Sequence, residues 1–401
     1  MIPLKIALVF GTRPEAVKLA PVYQELRKRG DRFNVEVIVT GQHREMLDQM
    51  LRVFDMFPDV DLDIMAPEQT LAQITTRALT QLQEVFAERA PDLVLVQGDT
   101  ATCFAAALAA YYEKIAVGHI EAGLRTNDRY SPFPEEMYRR LTDQLSELHF
   151  PATHRSRHNL LGEGTSIDSI FVTGNTVVDA LYTVMDRGPG LDKTDLHWVK
   201  DIEGRVCLLT AHRRENLGVP LTRVFLAVKQ LVETFSDLNV IFPVHKNPKV
   251  QRAAQEILGS SERVVLCEPV DYLTFVALMD RADIIITDSG GVQEEAPALG
   301  VPVLVVRETT ERPEGVEAGV ARLVGTQTED IVAGVSQILR NPGEYRRMAS
   351  IGCPYGDGRA SARICDAIEY FFHLRDTRPA EFEWHPRDVE GSHQDDGAPE
   401  E

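Results

Sequence analysis

Short, almost wholly apolar runs recur along this chain, separated by stretches long enough for a helical crossover. Residues 6–10 (IALVF), 35–40 (VEVIVT), 93–97 (LVLVQ) and 115–118 (IAVG) are of this kind. Strands that are continuously apolar are buried on both faces, which requires a parallel sheet covered by helices. The intervals 14–29, 71–89 and 101–112 are helix-length, as βαβ crossovers demand. The series restarts at 205–209 and continues through 240–243, 264–266, 284–287 and 303–306. The pattern predicts two doubly wound α/β domains, and 401 residues suffice for both.

The predicted organisation is a first domain over 1–187, a linker over 188–203 marked by Gly188, Pro189 and Gly190, and a second domain over 204–360. A C-terminal helix follows over 361–376, placed to cross back to the first domain. Residues 377–401 turn acidic and poor in aliphatics, the composition of a disordered tail.

Charge narrows the function. The formal net charge is −19, which argues against a nucleic-acid or anionic-membrane surface. Five widely spaced cysteines without a CxxC pair give neither a disulfide framework nor a zinc signature, and suit a reducing compartment. No apolar run approaches the roughly 18 residues of a membrane span. The amino-terminal apolar run is too short for a signal peptide, so the expected location is the cytoplasm.

In open parallel sheets, ligands bind beyond the carboxyl ends of the strands. The first strand is followed by Gly11-Thr12-Arg13-Pro14-Glu15, with Lys18 one turn further on. Its amides and cations suit an anion, or form a well-capped helix with solvated cations. Gly98-Asp99-Thr100 and His119-Ile120-Glu121 follow two strands that would place Asp99 and Glu121 in one crevice if adjacent. A lone strand-end aspartate such as Asp99 is more often an N-cap. Glu135 and Glu136 open a helix, where at least one of them serves the dipole.

In the second half, His212-Arg213-Arg214 and His245-Lys246 follow successive strands and suggest an anionic ligand. Asp288-Ser289-Gly290-Gly291, with Glu295 one turn on, lets backbone approach a diphosphate while a carboxylate receives ribose hydroxyls. Arg307 and Arg312 follow the next strand. No GxGxxG follows a strand and no GxxxxGK[ST] occurs, so neither a tightly held nicotinamide cofactor nor P-loop chemistry is expected. The histidines are too scattered for a metal site. Cations, amides and carboxylates together suit a diphosphate-linked sugar.

The segments GTRPEAVKLAP, QGDTATCFAA, GHIEAGLRT, SPFPEEMYRR, TAHRREN, FPVHKNP, TDSGGVQEEAPALGVPVL and RETTERPEGVEAG together resemble the non-hydrolysing bacterial UDP-N-acetylglucosamine 2-epimerases. The resemblance spans about residues 5–370. It implies two Rossmann-like domains facing a cleft, as in the glycosyltransferase-B fold, and a homodimer. The implied reaction is cofactor-free interconversion of UDP-N-acetylglucosamine and UDP-N-acetylmannosamine, by elimination of UDP to a bound 2-acetamidoglucal and re-addition. Its product would supply cell-surface polysaccharide synthesis.

By that resemblance Asp99, Glu121, Glu135, His212 and Lys18 are catalytic, without assignment of acid and base. Arg13, His245, Phe275, Ser289, Gly290, Gly291, Glu295 and Arg312 contact UDP or substrate. A glycosyltransferase would leave the three first-domain carboxylates unexplained, a non-catalytic sensor would have no use for them, and the animal hydrolysing enzyme carries a kinase domain for which this chain has no room. Regulated relatives bind a second UDP-N-acetylglucosamine, through a pocket matching Gln42, His43, Glu45, Glu68, Glu136, Arg213 and Arg214 here. Glu45 and Glu68 stand where those relatives have glutamine and arginine, leaving the pocket more negative toward a diphosphate. The expectation is turnover of UDP-N-acetylmannosamine without priming, unless the glutamates turn to solvent or pair with Arg44 and Arg77.

Overall fold

The computed structural model describes residues 2–41, 44–66, 68–188 and 190–386, without the side chains of residues 44, 45, 193 and 214. The chain divides into two compact units. The first comprises residues 1–188 and 355–383, the second residues 189–354 and the stretch after 383.

The first unit holds strands β1 (Leu4–Phe10), β2 (Phe33–Val39), β3 (Val60–Asp61), β4 (Leu93–Gln97), β5 (Ala116–Ile120) and β6 (Leu148–Phe150). They form one parallel sheet ordered β3-β2-β1-β4-β5-β6. The order reverses beside β1, so β1 and β4 flank the switch point where open sheets bind ligands. Because Gln97 pairs with Ile120, Asp99 and Glu121 leave adjacent strands at the same end. Behind them, helix Leu71–Arg89 packs along helix Ala101–Tyr112. Ala105, Ala106, Ala109 and Ala110 are buried, and their small side chains let the helices approach closely. Leu82 and Phe86 add about 1.5–3 kcal/mol each on burial.

The second unit repeats the design. Strands β7 (Arg205–Thr210), β8 (Leu238–Pro243), β9 (Val264–Cys267), β10 (Ile284–Thr287), β11 (Val303–Val305) and β12 (Ala321–Leu323) form a second parallel sheet. Its order is β12-β11-β10-β7-β8-β9, with the switch between β7 and β10. Phe225, Phe242, Leu231 and Ile286 lie in its main core.

Four details depart from the sequence reading. Strands β3, β6 and β12 are only two or three residues long and carry no readable pattern. The segment expected as a linker forms short 3-10 turns at Leu191–Lys193 and His197–Asp201, and buries Leu191, Leu196 and Val199. The chain rejoins the first unit at Tyr355, ahead of the expected boundary at 360, and the late helix runs Ala360–Phe371. The first residues of the acidic tail are packed, not disordered. Phe382 is buried and donates its N–H to the Val172 carbonyl, while the Arg378 guanidinium lies 4.3 Å from the Phe171 ring centroid. The tail beyond 386 lies outside the described residues.

The returning helix is tied to the first unit by charge. Arg29 binds Asp366 at 2.7 Å and Glu369 at 3.0 Å. The Asp179 carboxylate caps the helix start, accepting the N–H groups of Ala360 and Ser361. Burial pushes the Asp179 pKa up, against the pull of those bonds.

Candidate functional site

In the first unit, Glu15 organises the turn after β1. Its side chain is buried, and Oε2 accepts the N–H groups of Gly11 (3.1 Å) and Thr12 (2.8 Å) and the Thr12 hydroxyl (2.7 Å). Oε1 accepts the Thr100 hydroxyl at 2.7 Å. Burial pushes the Glu15 pKa up, and these bonds oppose it. The amides that the sequence offered to an anion are therefore occupied by Glu15. The exposed Arg13 remains as the cationic group beside them.

Thr100, not Asp99, caps helix Ala101–Tyr112, its hydroxyl accepting the Cys103 N–H at 3.0 Å. The Asp99 carboxylate turns to the Arg139 guanidinium instead. Glu121 receives the Lys18 ammonium and, at 2.5 Å, the Gln97 side-chain amide. Its backbone is left-handed, with φ 69°. That region is uncommon for a residue with a Cβ, and such conformations cluster where surrounding structure enforces them for function.

The two glutamates at the start of helix Glu135–Leu145 have different environments. Glu136 is fully buried and accepts the Thr126 N–H (3.0 Å), Arg139 (3.2 Å) and Arg140 (3.0 Å). It braces the loop before the helix. Glu135 lines a cavity of about 390 Å³ with Arg13, Asp99, Thr100 and Tyr138. Its Oε2 is buried without a hydrogen-bond partner among the described residues. A native carboxylate oxygen left so is costly unless a function uses it.

In the second unit, Asp288 plays the organising part. It is fully buried, and Oδ2 accepts the N–H groups of His212 and Arg213, each at 2.9 Å, and the Asn216 amide at 3.0 Å. Its Oδ1 lies 3.5 Å from His212 Nδ1. His212 and His245 stack with ring centroids 5.4 Å apart. Ser289 precedes the six-residue helix Gly290–Glu295. A Cβ added at Gly290 would lie 3.6 Å from both the Arg213 Nη2 and the Arg312 Cζ, so two guanidinium groups converge on a bare glycine turn. Gly291 beside it faces the Glu295 carboxylate. That carboxylate accepts the Tyr272 hydroxyl at 2.7 Å, and half-buried Phe275 lies on the same helix as Tyr272.

Arg307 is different. It is held by Glu311 at 2.7 Å and Glu215 at 3.0 Å, so its charge is matched inside the protein. Arg312 binds Glu294 at 2.6 Å through Nε and keeps its other guanidinium end toward Gly290.

Of the suggested regulatory pocket, Gln42, His43 and the side chains of Glu45 and Arg214 lie outside the described residues. Glu68 is exposed, in a left-handed turn. Arg213 belongs to the Gly290 turn. Sequence reasoning missed Glu15 and Arg139 as organising groups. Both had a signal: Thr12 and Glu15 have capping-box spacing, and Glu136 and Arg139 are three apart on a helix.

The first unit thus presents carboxylates with cationic partners at two adjacent strand ends, a set suited to moving protons. The second presents paired guanidinium groups at a glycine turn, suited to a diphosphate. A family model described as UDP-N-acetylglucosamine 2-epimerase matches residues 24–369. The Bacillus subtilis UDP-N-acetylglucosamine 2-epimerase is 50% identical over 382 residues, covering 94% of this chain and 98% of its own. A Listeria monocytogenes crystal structure described as a putative UDP-N-acetylglucosamine 2-epimerase superposes with TM-score 0.88 at 46% identity, covering 95% of this chain and all of that one. The Neisseria meningitidis UDP-GlcNAc 2-epimerase bound to UDP-GlcNAc gives TM-score 0.84 at 47% identity, covering 91% and 99%. A glycosyltransferase of kitacinnamycin, at 15% identity and TM-score 0.60, shares the fold.

Proposed function

The chain belongs to the UDP-N-acetylglucosamine 2-epimerase family and is an isomerase of that nucleotide sugar, and from this premise we propose that it inverts C2 by eliminating and re-adding UDP. The C2 proton is not acidic, because no carbonyl adjoins that carbon in the ring. Its removal must therefore follow or accompany departure of the C1 substituent. The C2–H and C1–O bonds break, a C1=C2 double bond forms, and UDP leaves with the electron pair. Return of UDP with protonation on the opposite face of C2 completes the inversion.

The chemistry needs an acid and a base on two faces, and groups that steady a departing diphosphate. Asp99, Glu121 and Glu135 take the proton roles, with Lys18 and His212 assisting. Arg213, Arg312 and the Gly290 turn hold the diphosphate. Arg13, His245, Phe275, Ser289, Gly291 and Glu295 complete the contacts to UDP and sugar. The observation that carries this reading is the buried, unpartnered oxygen of Glu135 on the cavity it shares with Asp99. Homodimer assembly, supply of UDP-N-acetylmannosamine to polysaccharide synthesis and turnover without priming, from Glu45 and Glu68, belong to the same proposal.

Incubation with UDP-N-acetylglucosamine alone in deuterated water should give both epimers carrying deuterium at C2, as read by NMR. Epimerisation without solvent deuterium would exclude the elimination route. Arg312→Ala and Glu295→Ala should each weaken UDP binding by about 1–3 kcal/mol, the scale of hydrogen bonds to charged groups. Calorimetric titration with UDP checks this, and unchanged affinity in both variants would remove the Gly290 turn from the nucleotide site.

A further inference from the structure

His119, on β5, is fully buried, and both of its ring nitrogens face oxygen atoms. Nδ1 lies 2.6 Å from Asp143 Oδ1 and Nε2 lies 2.7 Å from the Gly98 carbonyl oxygen. A carbonyl oxygen only accepts. The other end of the contact also accepts. Asp143 Oδ2 receives the Arg125 guanidinium at 2.6 Å and the Gly123 N–H at 3.2 Å. Burial alone would raise the Asp143 carboxyl, but His119 and Arg125 hold it below the usual range, and the guanidinium and N–H that both donate to Oδ2 bind it as an ionised carboxylate.

A neutral imidazole keeps a lone pair on one nitrogen, and here either choice would press that pair against an oxygen with no water between. Turning the ring over would put C–H groups at both positions and forfeit both bonds. We infer that His119 is held doubly protonated, as an imidazolium, and that it is a positioning residue for the backbone carrying Asp99 and Glu121. The positioning role rests on the epimerase reading; the imidazolium does not.

The neighbours fit one buried cation here. His149 sits in register with His119 on β6 and donates from Nε2 to the Asp143 carbonyl at 2.9 Å. Its Nδ1 lies 3.4 Å from the Ser169 hydroxyl, whose proton goes to the Ser166 carbonyl at 2.8 Å, and burial lowers the His149 pKa. It is therefore neutral. Glu163 balances Arg125 at 2.7 Å. The Cys103 thiol, kept protonated by burial, donates to the same Gly98 carbonyl at 3.3 Å. Asp99 and Glu121 at the strand ends and Glu15 on the first helix are paired as described above.

The brace spans the strained residue. One carboxylate, Asp143, grips residue 119 through Oδ1 and residues 123 and 125 through Oδ2, on either side of the left-handed Glu121. Through its other nitrogen the imidazolium fixes the Gly98 carbonyl, in the peptide unit that leads into Asp99. A single ring thus ties the backbone positions of two carboxylates together.

The test is long-range ¹H–¹⁵N correlation NMR of the full chain labelled at histidine imidazoles, at about pH 7.5, a unit above the ordinary imidazole value. One ring is expected to show protons on both nitrogens, exchanging slowly with solvent. Asp143→Asn should place an amide opposite Nδ1 and remove that proton while the Nε2 proton persists. If every ring shows an unprotonated nitrogen, or the doubly protonated ring is untouched by Asp143→Asn, the imidazolium assignment fails. His119→Gln should lower kcat about 10²-fold, the scale of a 1 Å misplacement, with UDP affinity unchanged. Wild-type kcat in a UDP-binding His119→Gln protein would overturn the positioning role. An inactive wild-type protein would count against the epimerase reading and leave the NMR result standing.

Discussion

Glu135→Gln, Asp99→Asn and Glu121→Gln should each lower kcat by about 10²–10⁴-fold, the usual contribution of a positioned acid or base. Each change is nearly isosteric, so the expected loss is chemical and not one of packing. For Glu135→Gln the folded protein should also gain slightly in stability, because a buried oxygen without a partner becomes part of a neutral amide. UDP affinity should stay near wild type in all three, since the groups proposed to bind it, Arg13 apart, lie in the other unit. Steady-state kinetics paired with UDP titration separates these effects. A single variant with undiminished kcat would strike that carboxylate from the mechanism, and a parallel loss of UDP binding would point to misfolding.

The second expectation concerns acid stability. Burial alone would raise the Glu311 carboxyl, but the Arg307 hydrogen bond and the charges of Arg312 and Arg307 outweigh it, bringing the pKa to about 2. The ordinary value is 4.5. The folded protein therefore binds this proton less readily than the unfolded chain does. The resulting stabilisation is fully present above pH 4.5 and is lost as pH falls through about 2. At 1.36 kcal/mol per unit it is worth about 3 kcal/mol. Glu311→Gln should lose that stability near neutral pH and flatten its fall between about pH 4.5 and 2. Urea unfolding at several pH values, followed by tryptophan fluorescence, measures it. Parallel pH profiles for wild type and variant would show that the ion pair contributes nothing.

Those two cases also show where the sequence stops speaking. Nine strands were readable because a strand buried on both faces is apolar at every position, and no partner need be known. The edge strands β3, β6 and β12 rest on neighbours and not on pattern. The strand-end rule located Asp99, Glu121, His212 and Ser289, because topology alone dictates which loops gather at a switch point. What it could not supply is the partner of each group. Glu15 consumes the amides of Gly11 and Thr12 and reaches Thr100, 85 positions away. Arg307, read as a cation available to an anion, is matched by Glu215 and Glu311. Asp99 has the sequence position of a cap, but Thr100 takes that place. Each depends on side-chain geometry between elements, which no local periodicity encodes.

The return of the chain to its first unit bears on synthesis. A ribosome releases residues 1–188 long before the helix Ala360–Phe371, which packs on helices Arg13–Lys28 and Thr176–Asp186 and buries Ile364, Ala367 and Ile368. Until that late helix emerges, a nascent first unit exposes the apolar face it will cover, and Arg29 lacks the Asp366 and Glu369 carboxylates that bind it in the finished protein. Domains generally fold in the order they are made. Here the earlier one must wait for the later, so a message truncated after the second unit would yield a chain whose second unit is finished and whose first is not.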